Sequence, residues 1–206
     1  MERKAVLDIY LKKKIEEFTP EKREEELSEL TFGDWSNTEG WNLLPKEIRD
    51  SMKNDSFPEN AEDAKYDQVL LFKFRDHCKG YTNDYLTLQT GLEIKSGKPA
   101  DLETCPCCGL KTIEERFHYE ICTVCWWEDD GQDNNTAESF SGPNSGTSLM
   151  QGRINFIKHG IYDAERDDLF EFQQEAIKFE IGRTFAINND YLYEMDTNWK
   201  IKIVKE

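Results

Sequence analysis

The residues with the clearest chemical potential are four cysteines in the middle of the chain. Cys105 and Cys108 form one C-x-x-C pair, Cys122 and Cys125 form a second, and thirteen residues separate the two pairs. This spacing is typical of a tetrahedral all-cysteine zinc site, in which each thiolate lies about 2.3 Å from the metal. Such a site leaves no position open for water, so we expect the zinc ion to stabilise the fold rather than to catalyse a reaction.

Residues around the first pair fit a metal-binding knuckle. Pro106 follows the first cysteine and Gly109 follows the second, and both residue types favour the tight turns that knuckles need. A less favoured alternative replaces one thiolate with His118, which lies between the two pairs. Cys107 and Cys78 are either reactive thiols or small buried residues, and without a sign of a lowered pKa we favour the buried, inert interpretation.

A disulfide framework is the main alternative to zinc. The chain opens with the residues MERKAVLD, which lack the apolar run of a secretory signal. We therefore expect a cytoplasmic protein with reduced thiols, and zinc as its cofactor.

A second group of chemically active side chains follows the last cysteine. Four carboxylates occur within six positions, at Glu128, Asp129, Asp130 and Asp133. Carboxylates at this density bind divalent cations or act as acid and base in some enzymes. However, the run lacks the alternating spacing of a calcium loop, and no Lys or Arg occurs between Trp126 and Arg153. We therefore expect a solvated acidic loop whose four carboxylates contact a partner.

The overall charge limits the classes of partner. Among 206 residues, 42 are acidic and 26 are basic, which gives a formal charge of −16. Nucleic acids and anionic membranes should repel such a chain. No apolar stretch approaches the roughly 20 residues needed to span a bilayer. With 37% apolar residues, the chain can still bury a real core.

The elements that position these groups follow from hydrophobic periodicity. Helical spacing recurs in the first hundred residues, with helices predicted near 5–18, 20–30, 66–80 and 85–92, and with Trp35, Trp41, Leu43, Leu44 and Ile48 in the core. The break Ser96-Gly97-Lys98-Pro99 predicts a boundary between a helical N-terminal domain, residues 1–98, and a zinc-binding domain, residues 99–206.

Two helices and a hairpin are predicted after the cysteines. Ser148 to Gln151 has the form of a capping box, so a helix should run to about His159, end at Gly160 and bury Leu149, the Arg153 stem, Phe156 and Ile157. A second helix is predicted over 167–181, burying Leu169, Phe172, Ala176 and Phe179. Residues 191–195 and 199–203 alternate like a terminal β-hairpin. The predicted fold class is therefore α+β, with a helical N-terminal region followed by a small zinc-ribbon-like domain that ends in helices and a β-hairpin.

Several motifs together resemble the cysteine-rich CPCC family. They are Cys-Pro-Cys-Cys-Gly at 105–109, the run from Tyr119 to Gly131 with its Trp-Trp-Glu-Asp-Asp-Gly ending, Gly-Pro-Asn at 142–144, Ser148-Leu149 and Arg153-x-Asn155-Phe156. The resemblance covers about residues 103 to 160, and Thr123 stands where the family usually has proline. The helical N-terminal part is similar to an extension of some members. Similar bacterial proteins are often encoded beside secreted toxins, which implies an immunity role.

Three function classes are consistent with these patterns. We rank first an immunity protein that binds a cognate toxin with a basic surface, since an acidic protein attracts a cationic partner. A metal-dependent hydrolase that uses the acidic run comes second, because it needs an open metal site that the spacing does not reveal. A zinc-ribbon nucleic-acid module comes third, because it should carry clustered Lys and Arg. No nucleophile or phosphate-binding motif is apparent, so we do not expect an enzyme.

Overall fold

A computed structural model of the chain describes residues 1–32, 35–52 and 57–203. The chain divides into two compact units, Met1–Pro99 and Ala100–Glu206. That residues 1–98 and 99–206 are two domains stays a prediction. Among the described residues, no helix combines the length and the apolar character that crossing a bilayer requires.

The first unit is helical, as the sequence predicts. Its α-helices are α1 (Arg3–Glu16), α2 (Pro20–Ser28), α3 (Lys46–Ser51), α4 (Asp67–His77) and α5 (Asn83–Thr90), with short 3₁₀ helices at Glu29–Phe32, Trp41–Leu43 and Ala64–Tyr66. Local signals set several ends. The hydroxyl groups of Thr19 and Thr82 accept hydrogen bonds from the first turns of α2 and α5, and Gly91 ends α5 in the left-handed conformation.

A cluster of buried apolar side chains forms the core of this unit. Leu44 and Ile48 belong to it, and Trp35 and Trp41 pack against it while half-buried. The prediction that Leu43 is a core residue is wrong, since its side chain is 77% exposed. Leu43 is the last residue of a short 3₁₀ helix. A 3₁₀ helix has three residues per turn, so consecutive side chains point in different directions.

The second unit contains two small antiparallel sheets and one α-helix among its described residues. Its elements are β1 (Glu103–Thr104), β2 (Lys111–Ile113), α6 (Leu149–His159), β3 (Phe185–Asn188), β4 (Tyr191–Glu194) and β5 (Lys200–Lys202), with 3₁₀ helices at Asp167–Phe172 and Ala176–Lys178. β1 pairs with β2, and the second sheet has the order β3-β4-β5. The chain is therefore α+β, and the predicted fold class is confirmed.

Helix α6 has the predicted ends but a different buried face. The Ser148 hydroxyl accepts a hydrogen bond from the backbone of Gln151, and Gly160 ends the helix with φ +80°. The buried residues are Leu149, Gly152, Arg153 and Ile154, whereas Phe156 is half-buried and Ile157 is exposed. A Cβ atom at Gly152 would lie 3.1 Å from the Trp127 ring. The lack of a side chain at Gly152 therefore allows this face of the helix, rather than the predicted one, to pack closely against Trp127.

The prediction of one helix over 167–181 is wrong. The segment forms two 3₁₀ helices separated by residues 173–175, with Phe172 and Ala176 exposed, Leu169 half-buried and only Phe179 buried. Two glutamines explain the interruption. The Gln173 side chain donates hydrogen bonds to the carbonyls of Val124 and Gly160, and the Gln174 backbone donates to the Thr123 carbonyl at 2.8 Å. These bonds to the loop between Cys122 and Cys125 and to the end of α6 replace the hydrogen bonds of a continuous helix.

The predicted terminal hairpin is confirmed as β4 and β5, whereas the neighbouring strand β3 was not predicted. In this sheet, Ile187 pairs with Leu192 and Leu192 pairs with Ile201. Asn189 adopts φ +54° in the turn between β3 and β4. The dipeptide Asn189-Asp190 between two apolar runs was the available signal, because asparagine tolerates the left-handed conformation that tight hairpins need.

Candidate metal centre

The structure brings the four predicted cysteines together. One sulfur atom from each of Cys105, Cys108, Cys122 and Cys125 lies within 4.8 Å of the other three, and all four residues are buried. Each C-x-x-C pair therefore contributes two thiols to one point.

The first knuckle is a tight turn that depends on glycine. The Gly109 N–H donates to the Cys105 carbonyl at 3.0 Å, and the Cys105 N–H donates to the Leu110 carbonyl at 2.8 Å. Gly109 has φ +79°, and a Cβ atom there would overlap the Arg183 carbonyl oxygen. The backbones of Gly182 and Arg183 both donate to the Gly109 carbonyl at 2.9 Å. A glycine is therefore needed at 109 for the tight turn and for close contact with the backbone that leads into β3.

The second knuckle repeats this geometry without a glycine. Trp126 follows the last cysteine as Gly109 follows the second, and it also lies in the left-handed region, with φ +65°. Its N–H donates to the Cys122 carbonyl at 2.8 Å, and the Cys122 N–H donates to the Trp127 carbonyl at 2.9 Å. The fully buried Trp127 meets the Tyr162 ring edge to face, with centroids 6.0 Å apart. Packing of this neighbour holds the strained position at Trp126.

The sulfur spacings fit a metal ion and not disulfides. The Sγ atoms of Cys105 and Cys125 are 3.6 Å apart, and those of Cys108 and Cys122 are 3.7 Å apart. A disulfide needs about 2.05 Å. Four sulfurs about 2.3 Å from a tetrahedral ion would lie about 3.8 Å from one another. The four thiols are free and can hold a metal with little rearrangement.

The thiols differ in how readily they ionise. Burial raises the pKa of Cys105, and raises the pKa of Cys108 and Cys125 well above the ordinary range. Burial also opposes ionisation of Cys122, but hydrogen bonds from the other three thiols and from the Thr112 hydroxyl hold its pKa well below that range. Metals coordinate thiolates, so binding of a cation would release protons from the neutral sulfurs. Thr112, whose oxygen lies 3.0 Å from the Cys122 sulfur, was missed by the sequence analysis.

The alternative ligands lie outside the cluster. His118 is exposed and pairs with the Glu115 carboxylate at 3.2 Å. Cys107 is fully buried and faces α6, where a Cβ atom at Gly152 would lie 3.3 Å from its sulfur. Cys78 is buried in the first unit. Neither thiol belongs to the group of described residues that can hold a metal.

The acidic run after Cys125 is turned inward over part of its length. Asp129 is fully buried, and its carboxylate accepts hydrogen bonds at 2.8 Å from the Arg116 guanidinium and from the Phe117 N–H. The prediction that Asp129 lies on a solvated surface is wrong, because Arg116 compensates its charge inside the fold. That the four carboxylates of this run contact a partner stays a prediction, and the Asp129 side chain has no exposed surface for such a contact in this fold.

The Gly-Pro-Asn turn holds the other end of the run. The Asn144 side chain accepts a hydrogen bond from the Glu128 N–H and donates one to the Glu128 carbonyl, both at 2.9 Å. The buried Ser141 hydroxyl donates to the Asp130 carboxylate at 2.7 Å and accepts from Asn144 at 2.7 Å. Glu128 and Asp130 are half-buried by these contacts. The acidic run and the Gly-Pro-Asn turn therefore meet in one hydrogen-bonded loop.

Asp133 joins the acidic run to the second sheet through arginines. Burial alone would raise the pKa of Asp133, but hydrogen bonding with Arg183 at 2.9 Å holds it below its usual range. Arg183 also binds Glu194 of β4 at 2.7 Å. Arg116 lies 3.5 Å from Asp133. Arg116 and Arg183 both lie outside residues 126–153, so the absence of basic residues in that stretch did not reveal them as partners.

Arg153 lies at the centre of this network. Only its stem was predicted to be buried, but the whole side chain is buried. Its Nε donates to the Pro106 carbonyl in the first knuckle, and one terminal nitrogen donates to the Asn134 side chain, both at 2.8 Å. The guanidinium carbon lies 4.0 Å from the ring centroid of Phe185 and 4.9 Å from that of Trp199. Arg153 thus links the knuckle, the acidic run and the second sheet.

Residues 103–176 match the model of the family described as Cysteine-rich CPCC. The match confirms the resemblance predicted from the cysteine pairs and the Gly-Pro-Asn turn, over a segment that lies within the second unit. Comparison with curated proteins and with solved structures gave no match.

Proposed function

We propose that this protein acts in the cytoplasm as an immunity protein, which binds a toxin with a basic surface and neutralises it, and that a zinc ion holds its second unit together. The charge of the second unit carries this proposal. From Ala100 to Glu206 the sequence has 21 acidic and 10 basic residues, which accounts for −11 of the formal −16.

The arrangement of the charges supports a basic partner. At least six of the ten basic residues contact carboxylates within the unit: Lys111, Arg116, Arg153, Arg166, Lys178 and Arg183. Much of the remaining acidic charge therefore faces solvent and attracts cations. The CPCC resemblance supports the choice of a toxin, because similar bacterial proteins are often encoded beside secreted toxins.

Zinc fits the donor set. Four thiolates in a tetrahedral arrangement suit zinc or iron-sulfur chemistry, and a closed site of single sulfur ligands is the structural zinc arrangement. The bound ion would supply cross-linking of the two knuckles and no open coordination position for a substrate. Its role in the proposed function is to fix the loops around it.

The hydrolase alternative has less support from the site. It requires the carboxylates of 128–133 to converge on a cation or on a substrate. Instead, Asp129 and Asp133 contact arginines and Asp130 binds the Ser141 hydroxyl. Within the described residues, the four cysteines are the only group arranged to hold a metal.

The proposal predicts that a gene next to that of this chain encodes a secreted toxin, and the toxin domain of that product is the partner to test. Co-expression should rescue cell growth, and the purified proteins should associate quickly at low salt, up to about 10⁸–10⁹ M⁻¹s⁻¹, with an on-rate that falls as salt screens the charges. An unrelated acidic protein of similar charge is the control, and it should not rescue growth. Failure of this protein to bind the toxin domain and to protect cells would overturn the proposal.

A further inference from the structure

The loop between the two knuckles exposes three large apolar side chains. Phe117, Tyr119 and Ile121 lie within five residues, and they are 66%, 60% and 49% exposed. Single exposed apolar residues are common, but a group of large ones on one short loop is typical of a contact surface. We call these three side chains the apolar loop face.

The backbone of this loop is fixed before any partner arrives. Residues 117–122 exchange hydrogen bonds with 127–129: the Tyr119 N–H donates to the Asp129 carbonyl at 3.1 Å, and the Asp129 N–H donates to the Glu120 carbonyl at 2.9 Å. The buried Asp129 carboxylate holds the Phe117 N–H at 2.8 Å. A loop held in this way loses little conformational entropy on binding.

Two of the three residues are also held in a conformation that aromatic residues rarely adopt. Phe117 has φ +71° and Tyr119 has φ +60°. The Phe117 ring lies over Gly131, where it leaves no room for a Cβ atom. Such backbone strain persists only where the surroundings impose it. The fold thus pays a conformational cost while these aromatic rings stay exposed to solvent.

The charges beside the apolar loop face are acidic. Glu114 and Glu115 are exposed directly before it. Arg116, which directly precedes Phe117, donates from its guanidinium to the carboxylates of Asp129 and Asp133 and to the Gln132 carbonyl. Its charge is therefore compensated from within the fold. Glu115 pairs with the exposed His118 of the same loop at 3.2 Å. Residues 114–121 together carry three carboxylates against one guanidinium, so this segment is acidic in net charge and attracts a cationic partner.

We propose that the apolar loop face, with Glu114 and Glu115 beside it, is the surface that docks the toxin. This inference rests on the proposed function. It replaces the acidic run as the main contact and specifies the partner: an apolar patch bordered by Lys or Arg. Aromatic side chains surrounded by charged residues supply most of the binding energy in many interfaces, and complementary charges set the on-rate.

Binding of the zinc-loaded full chain to the neighbouring toxin domain tests the assignment. Phe117→Ala and Tyr119→Ala should each weaken binding by about 10-fold or more, mainly through faster dissociation. Phe172→Ala is the matched control, because Phe172 is 59% exposed on a different segment, and its change should alter binding less than about 2-fold. Metal content and melting temperature are measured for each variant, and Tyr119→Ala serves if loss of the Phe117 ring loosens the loop at Gly131.

The outcomes separate the two proposals. If the wild-type chain binds the toxin domain and both loop variants bind equally well, the docking surface is overturned while the immunity role stands. If the wild-type chain does not bind, both are overturned. If the loop variants abolish self-association of this chain at unchanged toxin affinity, the face serves a second copy of the chain and the docking proposal is wrong.

Discussion

Replacement of Arg153 by methionine should be tolerated better than replacement by lysine, although lysine keeps the charge. Burial, aided by the nearby charge of Arg183, lowers the pKa of Arg153 to about 10, well below the usual value of an arginine. The guanidinium is still charged near neutral pH, but the fold holds that charge at a cost. At about 1.4 kcal/mol for each pKa unit, the cost is about 3 kcal/mol.

The gains that offset this cost come from contacts that require the planar guanidinium. In Arg153→Met, the Pro106 carbonyl loses its donor from Arg153, which costs about 2 kcal/mol, and the hydrogen bond to Asn134 is worth about 1 kcal/mol more. Asn134 keeps a second donor, Arg183, at 3.0 Å. Removal of the charge relieves the cost of about 3 kcal/mol for holding it inside the fold. The methionine sulfur can still contact the aromatic rings. The net change should be within about 1 kcal/mol of zero.

Arg153→Lys keeps the buried positive charge but loses the planar guanidinium with its several N–H donors. A single ammonium cannot reproduce both hydrogen bonds and the contacts with Phe185 and Trp199, so we expect a loss of about 3 kcal/mol with no compensating relief. Urea unfolding of the zinc-loaded variants, followed by tryptophan fluorescence, measures both changes. A lysine variant as stable as wild type beside a strongly destabilised methionine variant would refute the reasoning, because the charge itself would then be the stabilising part.

Two further predictions concern the metal and the pH. Cys122→Ser should lower the zinc content measured by elemental analysis, whereas Cys107→Ser, at a buried position outside the cluster, should retain it; the opposite pattern would overturn the choice of ligands. Hydrogen bonding with Arg183 holds the pKa of Glu194 below 4.5, so its contribution to stability should be complete above about pH 4.5 and disappear as the pH falls through the lowered pKa. The difference in unfolding free energy between wild type and Glu194→Gln should therefore shrink on acidification, and a difference that grows instead would contradict this assignment.

Features that depend on a few neighbouring residues were predictable from the sequence. The C-x-x-C spacing placed the four thiols, and the hydroxyl of Ser148 with Gly160 placed both ends of α6. These signals act locally, since a knuckle or a cap is complete within about four residues. The family resemblance rested on the same kind of short motif.

Features that depend on distant partners were not predictable. The interruption of the helix over 167–181 comes from Gln173 and Gln174, whose acceptors lie in the knuckle loop and at the end of α6. The acidic run was interpreted from its neighbours in sequence, but Asp133 finds Arg183 fifty residues further along the chain. Charge compensation of this kind is invisible to a linear count, because only the fold decides which cation meets which carboxylate.

The burial of Asp129 changes what the acidic run means for recognition. The loop from Gly109 to Ile121 is flanked by Cys108 and Cys122 of the cysteine cluster, and Asp129 binds its middle through Arg116 and the Phe117 N–H. The carboxylate that was predicted to meet a partner therefore points inward and fixes the backbone, while apolar side chains point outward. Neutralisation of Asp129 would act on binding through the position of that loop, because the half-buried Arg116 guanidinium without this carboxylate cannot hold the same geometry.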